Sequence, residues 1–306
     1  MLVTLPPDVL DRALGSVVGL TVGKTVEFQP RGLFPPVTDM VGGGPFRLTA
    51  GQWTDDTSMA LCLAGSLLYA PTRDPRDLMD RIFRWAEEGY NASTGRCFDV
   101  GRTTLSAIAR FRRTGDPLTG ASDPRKAGNG SIMRLAPVVA RWHDPPTAER
   151  VARAQRVTTL GAAEAVDAWA LLARVLGAAI TGSRADALAA PAHPGLVPEH
   201  PGDRRRRLAR DAVASTGYVE HTLEAAFWCC AHTRTFEEAL LAGVNLGHDA
   251  DTVVTVTGQI AGARYGPTGI PPRWAARLHD RERILALGRA LVEASGALPG
   301  SAGAPS

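Results

Sequence analysis

An all-α domain is predicted for this 306-residue chain from three observations. Apolar residues recur at helical spacing along most of the chain, and alternating strand-like runs are scarce. Ala, Leu, Arg and Gly are abundant while aromatics make up 6%, a bias towards helix over sheet. No internal repeat or composition break divides the chain. Residues 1–294 therefore read as one domain and 295–306 as a disordered tail.

The elements follow in order. A first helix ends at Val26-Glu27-Phe28, and Pro30–Gly51 holds Pro, Gly and Thr without periodicity, a long loop. Asp74-Pro75 starts a helix that Gly89 stops, with Leu78, Ile82, Phe83 and Trp85 on its inner side. Asp99 is placed to cap the next, which carries Leu105, Ile108 and Phe111 inward and ends near Gly115. Ala-rich helices follow at Thr147–Val157 and Ala162–Ile180, the second long enough to cross a core. Pro191–Gly202 is a surface connection. Thr235 with Glu238 forms a capping box opening Phe236–Val244, and Asp251–Ala263 and Arg281–Glu293 complete the set.

Composition excludes several classes of function. The net charge of +3 is mild, and the basic run Arg204 to Arg207 reads as a solvated helix start, so a nucleic-acid partner is not expected. No apolar run reaches the ~18 residues that span a bilayer, and no signal peptide is visible. Cys62, Cys97, Cys229 and Cys230 form no CxxC pair and read as reduced residues of a cytoplasmic protein. The chain is expected to act as a monomer.

Chemistry concentrates in two acidic clusters, Trp53-Thr54-Asp55-Asp56-Thr57 and Gly247-His248-Asp249-Ala250-Asp251-Thr252. Each places two carboxylates and a threonine hydroxyl at a helix start. Neighbouring carboxylates repel, and a helix N-terminus offsets only about 0.3–1 kcal/mol per charge. A divalent cation offsets far more, and oxygen-only ligands suit Mg²⁺ or Mn²⁺ over zinc. Face to face, the clusters suit a two-metal site with ions about 3.5–4 Å apart. For either cluster alone, a helix-cap role remains the alternative.

Three further segments are candidates. Tyr90–Gly101 is a turn-rich loop carrying Phe98 and Asp99. Gly128-Asn129-Gly130-Ser131-Ile132-Met133-Arg134 is a glycine-flanked helix start whose backbone N–H groups suit a phosphate. Ser215–Val219 carries Gly217 and Tyr218, an aromatic able to stack on a flat ring. For the last two, a turn or a helix cap is the competing explanation.

Read in order, Gly15–Phe28, Trp53–Thr57, Gly95–Gly101, Gly128–Arg134, Gly217–Ala226 and Val244–Gly266 resemble the ADP-ribosylglycohydrolase family. The resemblance implies a compact single-domain, orthogonal helical bundle with a binuclear Mg²⁺ or Mn²⁺ centre. It implies Thr54, Asp55, Asp56, Asp249, Asp251 and Thr252 as metal ligands. Asn129, Gly130, Ser131 and Met133 would line an ADP-ribose pocket, with Gly217 and Tyr218 near the adenosine. Glu27 and Asp99 would stand beside the scissile bond. The implied activity is removal of ADP-ribose from a modified protein or small-molecule conjugate, arginine foremost. A nucleotide phosphohydrolase and a non-catalytic ADP-ribose binder are the alternatives.

Three departures from the family pattern stand out. About four residues are absent before Glu27, close to one helical turn. Thr158-Thr159-Leu160 lacks a His common in the family. His248 and Ala250 replace a Gly and a Thr in the second cluster, which puts a bulky polar group at the cleft.

Overall fold

Helices carry the architecture throughout the computed structural model, which describes residues 6–24, 35–70, 74–120, 127–156, 158–159, 162–182 and 208–296. Glu27, the connection 191–202, the basic run Arg204–Arg207 and the chain from 297 onward lie outside these residues. The elements are α1 (Pro7–Lys24), α2 (Asp55–Tyr69), α3 (Pro75–Glu88), α4 (Arg102–Thr114), α5 (Ala136–Arg141) and α6 (Pro145–Arg156). They continue with α7 (Ala163–Thr181), α8 (Val219–Ala231), α9 (Phe236–Val244), α10 (Ala250–Tyr265), α11 (Pro272–Arg277) and α12 (Arg281–Glu293). No β-strand occurs among the described residues, where only two isolated bridges pair extended backbone.

Local chemistry sets several boundaries where the sequence places them. Asp74 accepts the Arg76 N–H at 2.9 Å and Pro75 opens α3, while Gly89 stops it in the left-handed region at φ 72°. Thr235 accepts the Glu238 N–H at 3.1 Å. The returning bond of this capping box runs one residue further back, from the Arg234 N–H to Glu238 at 2.8 Å. The helices predicted at Phe236–Val244 and Arg281–Glu293 have those limits.

Two expectations need correction. Asp99 does not cap α4: Gly101 is its N-cap residue, without a side-chain cap bond. Leu105, expected in the core, is 51% exposed, whereas Ile108 and Phe111 of the same helix are buried. Phe111 meets Phe83 of α3 edge-on at 5.9 Å, so α3 covers that side of α4 and leaves the Leu105 side open.

The centre of the fold is an antiparallel pair, α1 against α10. Backbones touch there because Gly15, Gly19 and Gly23 recur at one-turn spacing on α1 and face Gly262, Gly258 and Val254 on α10. A Cβ on Gly19 would overlap the carbonyl oxygen of Gly258, and one on Gly262 that of Gly15. α10 is buried over nearly its whole length, from Ala250 to Ala263. Around this pair, α5, α7 and α12 pack on α1, and α8 and α9 pack on α10. α2 joins from the other side through α3, α5 and α12. This closes one main core containing Trp53, Trp85, Trp169 and Trp274. No described helix is long and apolar enough to cross a membrane.

Candidate active site

Both acidic clusters lie at helix starts, α2 beginning at Asp55 and α10 at Ala250. Thr54 and Asp249 occupy the N-cap positions, and neither side chain makes a cap hydrogen bond. Instead the two clusters converge. Asp55 of the first and Asp249, Asp251 and Thr252 of the second line one cavity of about 580 Å³, at whose wall Asp99 also stands.

Buried hydrogen bonds hold each piece. Trp53, just before the first cluster, donates its indole N–H to the Asn91 carbonyl at 3.0 Å. Ser93 donates its hydroxyl to the Trp53 carbonyl at 2.6 Å, tying the cluster to the Tyr90–Gly101 loop. Thr54 donates to Asp55 Oδ1 at 3.1 Å. Thr54 and Asp56 sit behind the cavity wall, 6% and 0% exposed. In the second cluster, the Asp249 N–H donates to the Ser215 carbonyl at 2.9 Å and the Thr252 N–H to Asp251 Oδ1 at 2.8 Å.

The Asn129 and Tyr218 segments, far apart in sequence, form one short antiparallel bridge. The Asn129 N–H donates to the Gly217 carbonyl and the Val219 N–H to the Ala127 carbonyl, each at 3.1 Å. Asn129 also donates its side-chain amide to Thr222 Oγ1 at 2.9 Å and to Asp249 Oδ2 at 2.5 Å. It therefore orients a carboxylate of the second cluster besides lining the cavity with Gly130, Met133 and Gly217.

The remaining expected residues fall in different places. His248 lines the cavity and is exposed. Tyr218 lines an adjoining cavity of about 690 Å³. Burial, with Glu220 and Glu164 nearby, raises its phenol pKa, so the hydroxyl stays neutral at physiological pH. Phe98 packs on Phe46 with ring centroids 5.0 Å apart. Ser131 is fully buried beneath the loop, and its hydroxyl has no hydrogen-bond partner among the described residues. Gly128–Arg134 does not start an α-helix but closes as a 3₁₀ turn at Ile132–Arg134.

Backbone strain marks the two cavity walls. Asp99 and His248 hold φ at 59° and 57°, a left-handed conformation costing of the order of 1 kcal/mol or more for a non-glycine residue. Burial holds the cysteine thiols protonated at neutral pH. Burial pushes the Cys62 and Cys230 thiols up to about 12, and burial with Asp55 and Glu87 nearby pushes Cys97 up to about 11.

Some supporting residues carry weaker sequence signals. Arg102, Thr103 and Thr104 line the cavity from the first turn of α4, marked only by an arginine where helix starts favour acids. Gln259 is fully buried in α10. It donates to the Ile132 and Met133 carbonyls, each at 3.1 Å, and accepts the Ala136 N–H at 2.9 Å. A lone amide in an apolar helix was its signal.

Residues 5–299 match the ADP-ribosylglycohydrolase family model, which makes the chain a hydrolytic enzyme. The chain belongs to the ADP-ribosylglycohydrolase family. It is 41% identical over 297 residues to the ADP-ribosylarginine hydrolase Tri1 of Pseudomonas putida, covering 94% of this chain and 80% of that one. It is 34% identical over 281 residues to the ADP-ribosyl-[dinitrogen reductase] glycohydrolase of Rhodospirillum rubrum, covering 89% and 92%. A solved structure, an ADP-ribosylglycohydrolase-related protein complex, superposes with a TM-score of 0.79 at 43% identity, over 95% of this chain and 100% of that one.

Proposed function

We propose that this enzyme releases ADP-ribose from a modified arginine by metal-dependent hydrolysis of the glycosidic bond at the distal ribose. The observation carrying this reading is the convergence of two acidic helix starts on one cavity, with neither N-cap side chain making a cap bond. The similarity to arginine-directed relatives supports the acceptor.

The donor chemistry fits Mg²⁺ or Mn²⁺. Asp55 and Asp56 are adjacent carboxylates, 8% and 0% exposed, and carboxylates at this depth need positive charge or a proton close by. Asp55, Asp56, Asp249 and Asp251, with the Thr54 and Thr252 hydroxyls, would hold two ions through hard oxygens alone. Among the described residues, no three His, Cys, Asp or Glu side chains already stand close enough to grip one ion. When bound, the ions would supply positive charge and Lewis acidity at the ribose hydroxyls.

The remaining chemistry belongs to the protein. Asn129 fixes the Asp249 carboxylate, and the short bridge to Gly217 and Tyr218 shapes the wall on which the nucleotide lies. Asp99, held at the cavity wall, accepts a proton from the attacking water and faces the positive charge that develops on the sugar. A guanidine leaves with little acid assistance. The four cysteines are all unpaired, which fits a reducing cytoplasm.

The direct test is turnover of an ADP-ribosylated arginine peptide. Free ADP-ribose should appear with Mg²⁺ or Mn²⁺ and stop with chelator; release of phosphate instead would make the enzyme a nucleotide phosphohydrolase. The same assay ranks the two candidate bases. Asp99→Asn should lower the single-turnover rate by about 10²-fold or more, the usual scale for a lost general base. Glu27→Gln should cost less, because Glu27 follows the shortened segment. A larger loss for Glu27→Gln would transfer the role to Glu27.

A further inference from the structure

Behind the first acidic cluster, one buried node joins three remote parts of the chain. Trp53 donates its indole N–H to the Asn91 carbonyl, and its backbone N–H donates to Ser93 Oγ at 3.2 Å. Trp53 leads directly into Thr54 and Asp55, and the turn holding Asn91 and Ser93 leads into Asp99. The node therefore sets the approach of both carboxylates to the cavity. Its third part is the start of α12. The Arg283 guanidinium donates to Asn91 Oδ1 and, at 3.3 Å, to Asp280. Beside it, the His279 N–H donates to the Gly51 carbonyl at 3.1 Å, and the His279 ring meets Trp53 with centroids 5.2 Å apart.

Two observations set this contact apart from the surface ion pairs. Both acceptors of Arg283 are strained: Asn91 and Asp280 hold φ at 64° and 50°, the left-handed region that disfavours any residue but glycine. Asp280 occupies the N-cap position of α12, yet its carboxylate meets Arg283 and makes no cap bond. The second observation is burial. Arg76, Arg84 and Arg281 pair with exposed carboxylates, contacts that solvent screens. Arg283 instead carries its charge to the amide oxygen of a buried side chain. The Asn91 amide nitrogen reaches the Cys62 sulfur at 3.5 Å, a weak acceptor. Among the described residues Arg283 is thus the strong partner of this side chain, and a buried amide left without one is costly.

We propose that Arg283 is a positioning residue: acting through Asn91, it locks the first acidic cluster and the Asp99 loop together, and so sets how tightly the cavity holds a divalent cation. The cation rests on the metal-dependent reading above. Arg283 itself is exposed and touches neither the metal ligands nor the cavity wall. Its effect reaches the site through the side chain of Asn91, the indole of Trp53 and the backbone that enters α2.

The test reads metal binding without turnover. Mn²⁺ is titrated calorimetrically into wild type, Arg283→Met, Arg283→Lys, Asn91→Gly and the double variant Arg283→Met/Asn91→Gly. Arg283→Met should weaken Mn²⁺ about tenfold, the scale of one lost charge-assisted hydrogen bond to a buried group. Asn91→Gly suits the left-handed backbone while removing the acceptor, and should weaken Mn²⁺ by a similar factor. The double variant should lose no more than either single one, because both delete the same bond. Arg283→Lys keeps the charge and should fall between. Arg281→Gln, which removes an equally exposed arginine paired with Glu282, should match wild type. ADP binding in chelator-treated buffer should stay within about twofold of wild type, since its wall is built by the Gly128–Tyr218 bridge. Hydrogen exchange should quicken in Arg283→Met over residues 51–58 and 90–101 and stay unchanged in α1 and α10, which verifies the fold.

Wild-type Mn²⁺ affinity in Arg283→Met, or losses that multiply in the double variant, overturns the proposal. So does an equal loss of ADP affinity or faster exchange throughout α1 and α10, either of which would mark a general loosening. Absence of Mn²⁺ binding by wild type, with exchange quickened at both segments in Arg283→Met, keeps the positioning role and removes the metal reading. Mn²⁺ binding by wild type with exchange unaltered in Arg283→Met does the reverse.

Discussion

Asp55→Ala or Asp251→Ala is expected to lower turnover of an ADP-ribosylated arginine substrate by about 10³-fold or more, with the helical circular dichroism signal retained. Each substitution removes a carboxylate from the cavity shared by α2 and α10. Several kcal/mol of transition-state charge stabilisation depend on a catalytic metal pair, and each 1.4 kcal/mol or so is about a factor of ten. Stability should respond in the opposite sense when metal is withheld. Asp55 adjoins the fully buried Asp56, so its loss relieves like-charge repulsion and should leave the chelator-treated Tm equal to or above wild type. The rise in Tm on adding Mg²⁺, a linkage effect, should shrink. A wild-type rate for either variant in Mg²⁺-supplemented buffer would exclude the binuclear reading.

Gly19→Ala should be the most damaging single-methyl addition in the fold. Its Cβ would overlap the Gly258 carbonyl, and neither backbone can withdraw without parting α1 from α10. We expect a loss of about 3 kcal/mol or more, at the upper end for overpacking, read as a fall in the denaturant midpoint. Activity of the surviving folded fraction should fall too, because α10 carries Asp251 and its start follows Asp249. Gly101→Ala is the control for stability. Its φ is −62° and an added Cβ meets nothing within 4 Å, so its midpoint should stay within about 0.5 kcal/mol of wild type. Similar losses for the two variants would show that the glycine contact does not hold the helix pair together.

Helix boundaries were legible in the sequence where their causes are local. Asp74-Pro75 and Gly89 delimit α3, and Thr235 opens α9, because each cap bond joins residues a few positions apart. The acidic clusters were legible for the same reason, since each packs two carboxylates beside a helix start. Other features depend on what arrives from elsewhere in the chain. Leu105 belongs to the apolar pattern of α4, yet none of the described helices covers it. Gly128–Arg134 reads as a helix start, but it closes as a 3₁₀ turn, with buried Gln259 of α10 donating its amide to the Ile132 and Met133 carbonyls. Asp99 suits a cap by residue type, whereas its left-handed backbone sets it at the cavity wall instead. By itself the sequence determined the helical class, most helix limits and the oxygen-rich residues of the site. Tertiary structure alone decided which of those residues share a cavity, because that depends on the glycine-lined contact of α1 with α10 and on the bridge between Gly128 and Tyr218, both made by residues remote in the chain.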